Sequence, residues 1–344
     1  MSNIKKYDYL DILRIISCIS VILIHTSCTG FYASTTIKDF TISNFYDSIS
    51  RFCVPMFFMI SGALFLNSNK KIEIKSFFKN KTLKIFFDFI IWSLIYFAFD
   101  TILINHGKIT IGGLISSITN FKFHLWFLKV MIYIYLFIPL IKLISDQKDQ
   151  KLLKYLLFIF LIFGILLYNI SYLPIPQSII NLSNSFRIYS DFWYIGYFIL
   201  GYYLFITEFS KKKRIIIYIL GIVSFVTCFG IQNILYIING NKTEILYGYF
   251  SITTFFTSVA LFVFIKQKFK NKDYKEINLR SIWSKTYGIY LIHIMVMDVF
   301  SKLGFDIFSF NYIISIPILT ISVFIASYII ISIIKKIPIL RKIV

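Results

Sequence analysis

Apolar residues run along this chain in blocks close to the roughly 20 that a helix needs to cross a hydrocarbon layer of about 30 Å. Short segments rich in Lys, Asn and Asp separate the blocks, and the runs 15–24 and 313–334 contain no charged residue at all. Read in windows of spanning length, the pattern predicts ten spans, near 9–29, 52–66, 85–104, 126–144, 152–170, 192–206, 215–236, 245–265, 282–300 and 312–334. The second and sixth are short and should extend into their flanks. The connecting loops leave no room for a separate soluble domain, and no internal repeat is visible. The expected fold is therefore all-α: a polytopic membrane protein of about ten transmembrane helices, one domain over residues 1–344.

Composition agrees with the pattern. Of 344 residues, 58% are hydrophobic and 15% charged, against about 45–50% and 25% in soluble domains. The 39 Phe and 24 Tyr exceed what a water-soluble core of this size could hide, which excludes secreted, cytosolic and disordered classes. A formal charge of +20 would suggest nucleic acid in a soluble protein. Here the basic residues sit in short clusters between spans, where they orient helices and meet anionic lipid head groups, so membrane lipids are the expected partner and nucleic acid is not. Of the 36 Lys and Arg, 26 lie in alternating segments that include both termini, Lys5 and Lys6 among them. Seven lie in the opposite loops, namely Lys38, Arg51, Lys108, Lys122, Arg187, Lys242 and Lys302, and Arg14, Lys129 and Lys285 lie in or beside spans. That bias puts both termini in the cytoplasm. The four cysteines form no CxxC pair and have no His at ligand spacing, so free thiols and no metal are expected. Asp11 and Arg14 interrupt the first apolar run and no small-residue cleavage site follows, which reads as a retained span rather than a signal peptide.

Several polar residues fall inside the spans. Arg14 and His25 are eleven residues apart, roughly 20° beyond three full helical turns and a rise of about 16 Å, so they share one helix face. Asp11, three residues before Arg14, can pair with it and offset part of the roughly 2.5–3.5 kcal/mol cost of a charge at mid-helix depth. Arg14 could instead snorkel to the interface, with His25 a buried strut. Three ionisable groups in one span more often mark a site, and an imidazole accepts a proton near neutral pH. In the second span, Pro55 releases a backbone carbonyl and Ser61-Gly62 permits close helix approach, while Arg51 stands at its outer end. The loop 67–84 carries six lysines, including Lys70, Lys71, Lys81 and Lys84, against Glu73, and reads as an amphipathic surface segment or a phosphate site. Trp126 suits an aromatic belt anchor, beside Lys129. Tyr290 and His293 share a face at i, i+3, where a buried hydrogen-bonded pair is the plain reading.

Taken together these residues resemble a family. Asp11-x-x-Arg14 with ten residues to His25, Val54-Pro55-Met56-Phe57-Phe58-Met59-Ile60-Ser61-Gly62, His124-Leu125-Trp126-Phe127-Leu128 leading to Pro139, and Gly288-Ile289-Tyr290-Leu291-Ile292-His293 look like the bacterial integral-membrane acyltransferase family 3. The pattern is most similar to stand-alone surface-polysaccharide O-acetyltransferases of the enterobacterial common antigen type. The resemblance implies ten helices in the bacterial cell membrane and transfer of an acetyl group from cytoplasmic acetyl-CoA to a hydroxyl of an extracytoplasmic or lipid-linked glycan. It carries functional roles to Arg14 and His25. A family motif of two arginines spaced three apart falls on Lys81 and Lys84, which keep the charge for coenzyme phosphates but lose bidentate recognition.

The expected mechanism lays the coenzyme's arm along the Arg14 to His25 face, phosphates near Arg14, Lys81 and Lys84, and the thioester near His25. His25 would deprotonate the sugar hydroxyl, with a covalent acyl intermediate as the other route. Arg51, Tyr290 and His293 are candidate oxyanion donors, and with Trp126 they are candidate contacts to substrate. The rival function is a glycan exporter without transfer activity, whose path would want polar residues and aromatic platforms along several spans.

Overall fold

The computed structural model describes residues 8–68, 72–147, 150–186, 190–270 and 279–344. Lys5, Lys6, Lys70, Lys71 and Arg187 lie outside the described residues. Among those described the chain is helical and has no strand. The main helices are α1 (Asp8–Ala33), α2 (Ile37–Ser50), α3 (Cys53–Leu66), α4 (Leu83–Phe99), α5 (Trp126–Ser145) and α6 (Lys151–Ile159). They continue with α7 (Tyr194–Ile206), α8 (Lys211–Asn239), α9 (Ile252–Phe269), α10 (Thr286–Lys302) and α11 (Tyr312–Ile334). Among the described residues eight helical stretches are long and apolar enough to cross a membrane, and the protein is an all-α, polytopic membrane protein.

Two of the ten expected spans are shorter. The segments expected at 192–206 and 282–300 form α7, 13 residues, and α10, 17 residues, which at about 1.5 Å per residue reach roughly 20 and 26 Å. Both are largely buried inside the bundle. The second span differs in the other direction, because α2 and α3 form one 30-residue stretch, Ile37–Leu66. Its first half was missed because α2 is polar: Ser43, Asn44, Asp47, Ser48 and Ser50 are all buried, packed against protein instead of lipid. Asn44 donates to the Phe229 carbonyl (2.9 Å) and Thr41 to Asn233 Oδ1 (2.9 Å), both on α8. The stretch breaks at Arg51 and Phe52. Pro55 has no N–H for the Arg51 carbonyl, four residues back, and so cannot continue the ladder through that point.

Helix α1 runs through the middle of the bundle, in contact with α2, α3, α9, α10 and α11. Thr26 meets Thr320 on α11 at 2.8 Å, and the Cys18 thiol points at the Thr286 carbonyl of α10 at 3.7 Å. The most extensive packing joins α3 to α7, where glycines bring backbone onto backbone. A Cβ on Gly62 would sit 1.7 Å from the Phe198 carbonyl oxygen, and one on Gly201 would sit 1.9 Å from that of Met59. This is the close approach that small residues provide where lipid offers no hydrophobic drive for helix association.

At the Lys-rich end two lysines close helix termini. Buried Lys142 donates to the Leu66 carbonyl at the end of α3 (2.8 Å), and buried Lys266 donates to the Leu204, Phe205 and Thr207 carbonyls at the end of α7 (3.0, 2.8 and 2.8 Å). An ammonium there satisfies acceptors left over by the helix and complements its dipole. At the opposite end, the first seven residues expected in the span 245–265 form turns, and the helix begins at Ile252.

The glycine contact makes a stability prediction. Gly62→Ala must push α3 away from α7 and should cost about 1–3 kcal/mol, in the range of overpacked cores. Gly230→Ala, on α8 with nothing within 4 Å of the new methyl, should be neutral or stabilising by a few tenths of a kcal/mol. Thermal unfolding of the two purified proteins in one detergent checks this, and equal melting temperatures would refute the contact.

Candidate active site

Helix α1 carries Arg14 near its Lys-rich end and His25 three turns further on. Both line one cavity of about 200 Å³, walled also by Ser61 of α3, His124 and Trp126 at the start of α5, Tyr249, and Tyr287 and Tyr290 of α10. The shared face expected for Arg14 and His25 is therefore the face that α1 turns to this cavity.

Three histidines meet at its far end. The His25 ring lies 5.3 Å from that of His293 and 5.2 Å from Phe123, and His124 lies 5.3 Å from His293. His124 is carried on a single 3₁₀ turn, Phe123–Leu125, that leads into α5. His293 is fully buried, and its Nδ1 lies 2.6 Å from the Tyr290 carbonyl. A carbonyl only accepts, so Nδ1 carries the proton, and Nε2 has no hydrogen-bond partner among the described residues. The Tyr290 hydroxyl donates to the His124 carbonyl at 2.5 Å. Trp126 is stacked, with its ring 5.8 Å from Tyr249 at 25° and 5.4 Å from Tyr194.

At the other end, Arg14 Nη1 lies 3.5 Å from Asp11 and the guanidinium stands over the Trp283 ring at 5.0 Å. Lys84 pairs with buried Asp88 at 2.7 Å, and the same carboxylate oxygen accepts from the cavity-lining Tyr287 at 2.8 Å. Lys84 thus reaches the Arg14 end of the cavity through Asp88 and Tyr287. Lys81 does not. It lies in a π-helical turn, Phe78–Thr82, and lines a separate opening of about 350 Å³ with Phe65, Ser76, Phe77 and Asn80. The two lysines are three apart in sequence but do not line the cavity together.

Arg51 also departs from its sequence reading. It stands at the break between α2 and α3, but in place of a free cation in a loop it is buried, with its Nε donating to Asp47 one turn earlier and its guanidinium 4.1 Å above the Tyr247 ring. The ion pair explains how an arginine is tolerated at this depth. His124, quoted for its motif alone, and Tyr249 and Tyr287, not singled out, are among the wall residues that sequence reasoning missed. Tyr249 was hidden in an apolar window, although Gly240, Asn241 and Gly248 around it are turn residues.

The geometry is that of a narrow site with a cationic end and an imidazole end, suited to holding an anionic carrier at one and moving a proton at the other. Residues 7–332 match the family described as acyltransferase domain, acyltransferase family 3, and the chain belongs to that family, a class of membrane acyltransferases. No curated protein and no solved structure matches it.

The buried pair yields a test of its own. Asp47→Asn leaves Arg51 without its counter-charge and should destabilise by about 3–5 kcal/mol, whereas Asp47→Leu combined with Arg51→Met removes both charges and should cost less. Melting temperatures check the order, and a double variant no better than the single would contradict it.

Proposed function

We propose that the protein is an O-acetyltransferase of the bacterial cell membrane that moves an acetyl group from cytoplasmic acetyl-CoA to a hydroxyl of an extracytoplasmic or lipid-linked cell-surface glycan. The observation that carries the reading is the single cavity joining Arg14 to His25. The charge bias favours a cytoplasmic Lys-rich end, which gives the donor its side: coenzyme phosphates near Arg14 and Lys84, and the acyl-bearing arm along α1 for about 16 Å to His25. Lys81 lines a separate opening and in this reading acts, if on the coenzyme at all, on a part of it outside the cavity.

In this reading His25 takes the proton from the acceptor hydroxyl as its oxygen attacks the thioester carbonyl. The carbon–sulfur bond then breaks, and the leaving thiolate recovers the proton from His25. The ester and free coenzyme A are the products. His293, held through Nδ1, keeps a second imidazole beside His25 and restricts its orientation. Tyr290 has its hydroxyl committed to the His124 carbonyl, so it braces the His124 turn and is a poor oxyanion donor. Arg51 is neutralised by Asp47, which weakens its case for that role as well.

The mechanism predicts different defects for two residues on one face. Arg14→Ala should weaken acetyl-CoA binding, because its charge meets phosphate in ground state and transition state alike. His25→Ala should leave binding within about twofold and lower turnover by roughly 10²–10⁴, the signature of an interaction made in the transition state. Calorimetry with acetyl-CoA and incorporation of labelled acetyl into surface glycan check both, with gel filtration as the folding control. Near-normal transfer by His25→Ala would end the general-base assignment.

A further inference from the structure

A second pocket lies at the end of the bundle opposite the Lys-rich one. It has a volume of about 490 Å³, and four of its eight lining residues are tyrosines: Tyr168, Tyr172, Tyr247 and Tyr249. Arg51 and Glu244 also line it. We propose that this pocket binds a neutral sugar unit of the acceptor, using the ring faces of Tyr168, Tyr172 and Tyr249 as platforms. The proposal rests on the acyl-transfer reading above and extends it to a separate inlet for the second substrate.

Its walls come from the turns after α8, from the last helical turn of the stretch Lys151–Ile170 with the turn that follows it, and from Arg51 between α2 and α3. Non-helical backbone is tolerated in a membrane protein where it is buried in protein or lines a wet cavity. Here it is tied down. Asn169 Nδ2 donates to the Phe250 carbonyl and Asn169 Oδ1 accepts from the Ile252 N–H, both at 3.0 Å. Gly248 lets the ring of Tyr168 lie against the turn, since a Cβ there would fall 1.9 Å from the Tyr168 hydroxyl. The Tyr172 hydroxyl donates to that of Tyr168 at 3.2 Å, and Tyr172 remains 39% exposed. The result is a braced aromatic wall with an open side.

Tyrosine offers an apolar face for the C–H side of a pyranose and a hydroxyl for its edge. The charges select among sugars. Arg51 is already matched by Asp47, and Glu244 accepts from Tyr32 at 2.7 Å, so a uronate would find no unmatched cation among the lining groups and one carboxylate to repel it. Tyr249 belongs to both cavities. A sugar on its outer side shares the Tyr249 ring with the cavity that holds His25.

Saturation-transfer NMR tests this on the full chain in nanodiscs without acetyl-CoA, with chitotriose, maltotriose and trigalacturonate as probes. At least one neutral trisaccharide should show transfer to its ring C–H protons, and trigalacturonate should show none. Tyr172→Ala and Gly248→Ala should each reduce the signal at least threefold, Tyr172→Phe should keep it, and calorimetric acetyl-CoA binding by all three should match the parent within twofold. Absence of a neutral signal, equal binding of trigalacturonate, or parental signals in both disruptive variants would each overturn the pocket. Sugar binding by a parent protein that fails to bind acetyl-CoA would instead preserve the pocket and remove the transfer reading.

Discussion

A hydrocarbon layer offers no partner to an unmatched polar group, and most of the departures from simple helices in this protein follow from that constraint. Lys142 and Lys266 are buried because they complete the acceptors at the ends of α3 and α7. Arg51 is buried because Asp47 lies one turn before it and Tyr247 beneath it. The polar face of α2 is absorbed by α8 in the same way. Where the backbone itself is irregular, at the 3₁₀ turn of His124 and at the turns around Tyr247 and Tyr249, it faces cavities.

The site follows from this arrangement. Helix α1 is flanked by protein on most sides, so the face it keeps for Arg14 and His25 is the one that looks into open space. The Gly62 and Gly201 contact holds α3 against α7 and so fixes the wall that carries Ser61. The histidine cluster brings together three chain-distant elements, α1, the turn before α5, and α10. The cavity's two ends differ in chemistry, and a donor with an anionic head and a reactive tail fits that polarity in one direction.

Much of this was legible from residue order. Apolar periodicity identifies the membrane class and most spans, because length in a bilayer is a physical requirement. Arg14 and His25 were found because two residues of one helix keep a fixed relation through 3.6 residues per turn. What could not be read depended on partners far away in the chain. Arg51 looked like a loop residue because its span begins with polar residues whose partners lie on α8. Lys81 and Lys84 looked like a pair, since sequence does not show that Lys81 lines a separate opening while Asp88 draws Lys84 toward Tyr287. Helix α7 was already expected to be short, whereas α10 passed as an ordinary span, since composition does not tell protein surroundings from lipid. Tyr249 was hidden by counting as apolar in a window that proved to be turns.

The account stands or falls on where the donor's reactive end lies. A cryo-electron microscopy structure of the protein with a hydrolysis-resistant acetyl-CoA analogue measures this directly. The account predicts the phosphates at the Arg14 and Lys84 end and the acetyl carbonyl beside the His25 ring, inside the cavity walled by Tyr287 and Trp126. An acetyl group outside that cavity, or a coenzyme seated in the tyrosine pocket at the opposite end, would contradict it.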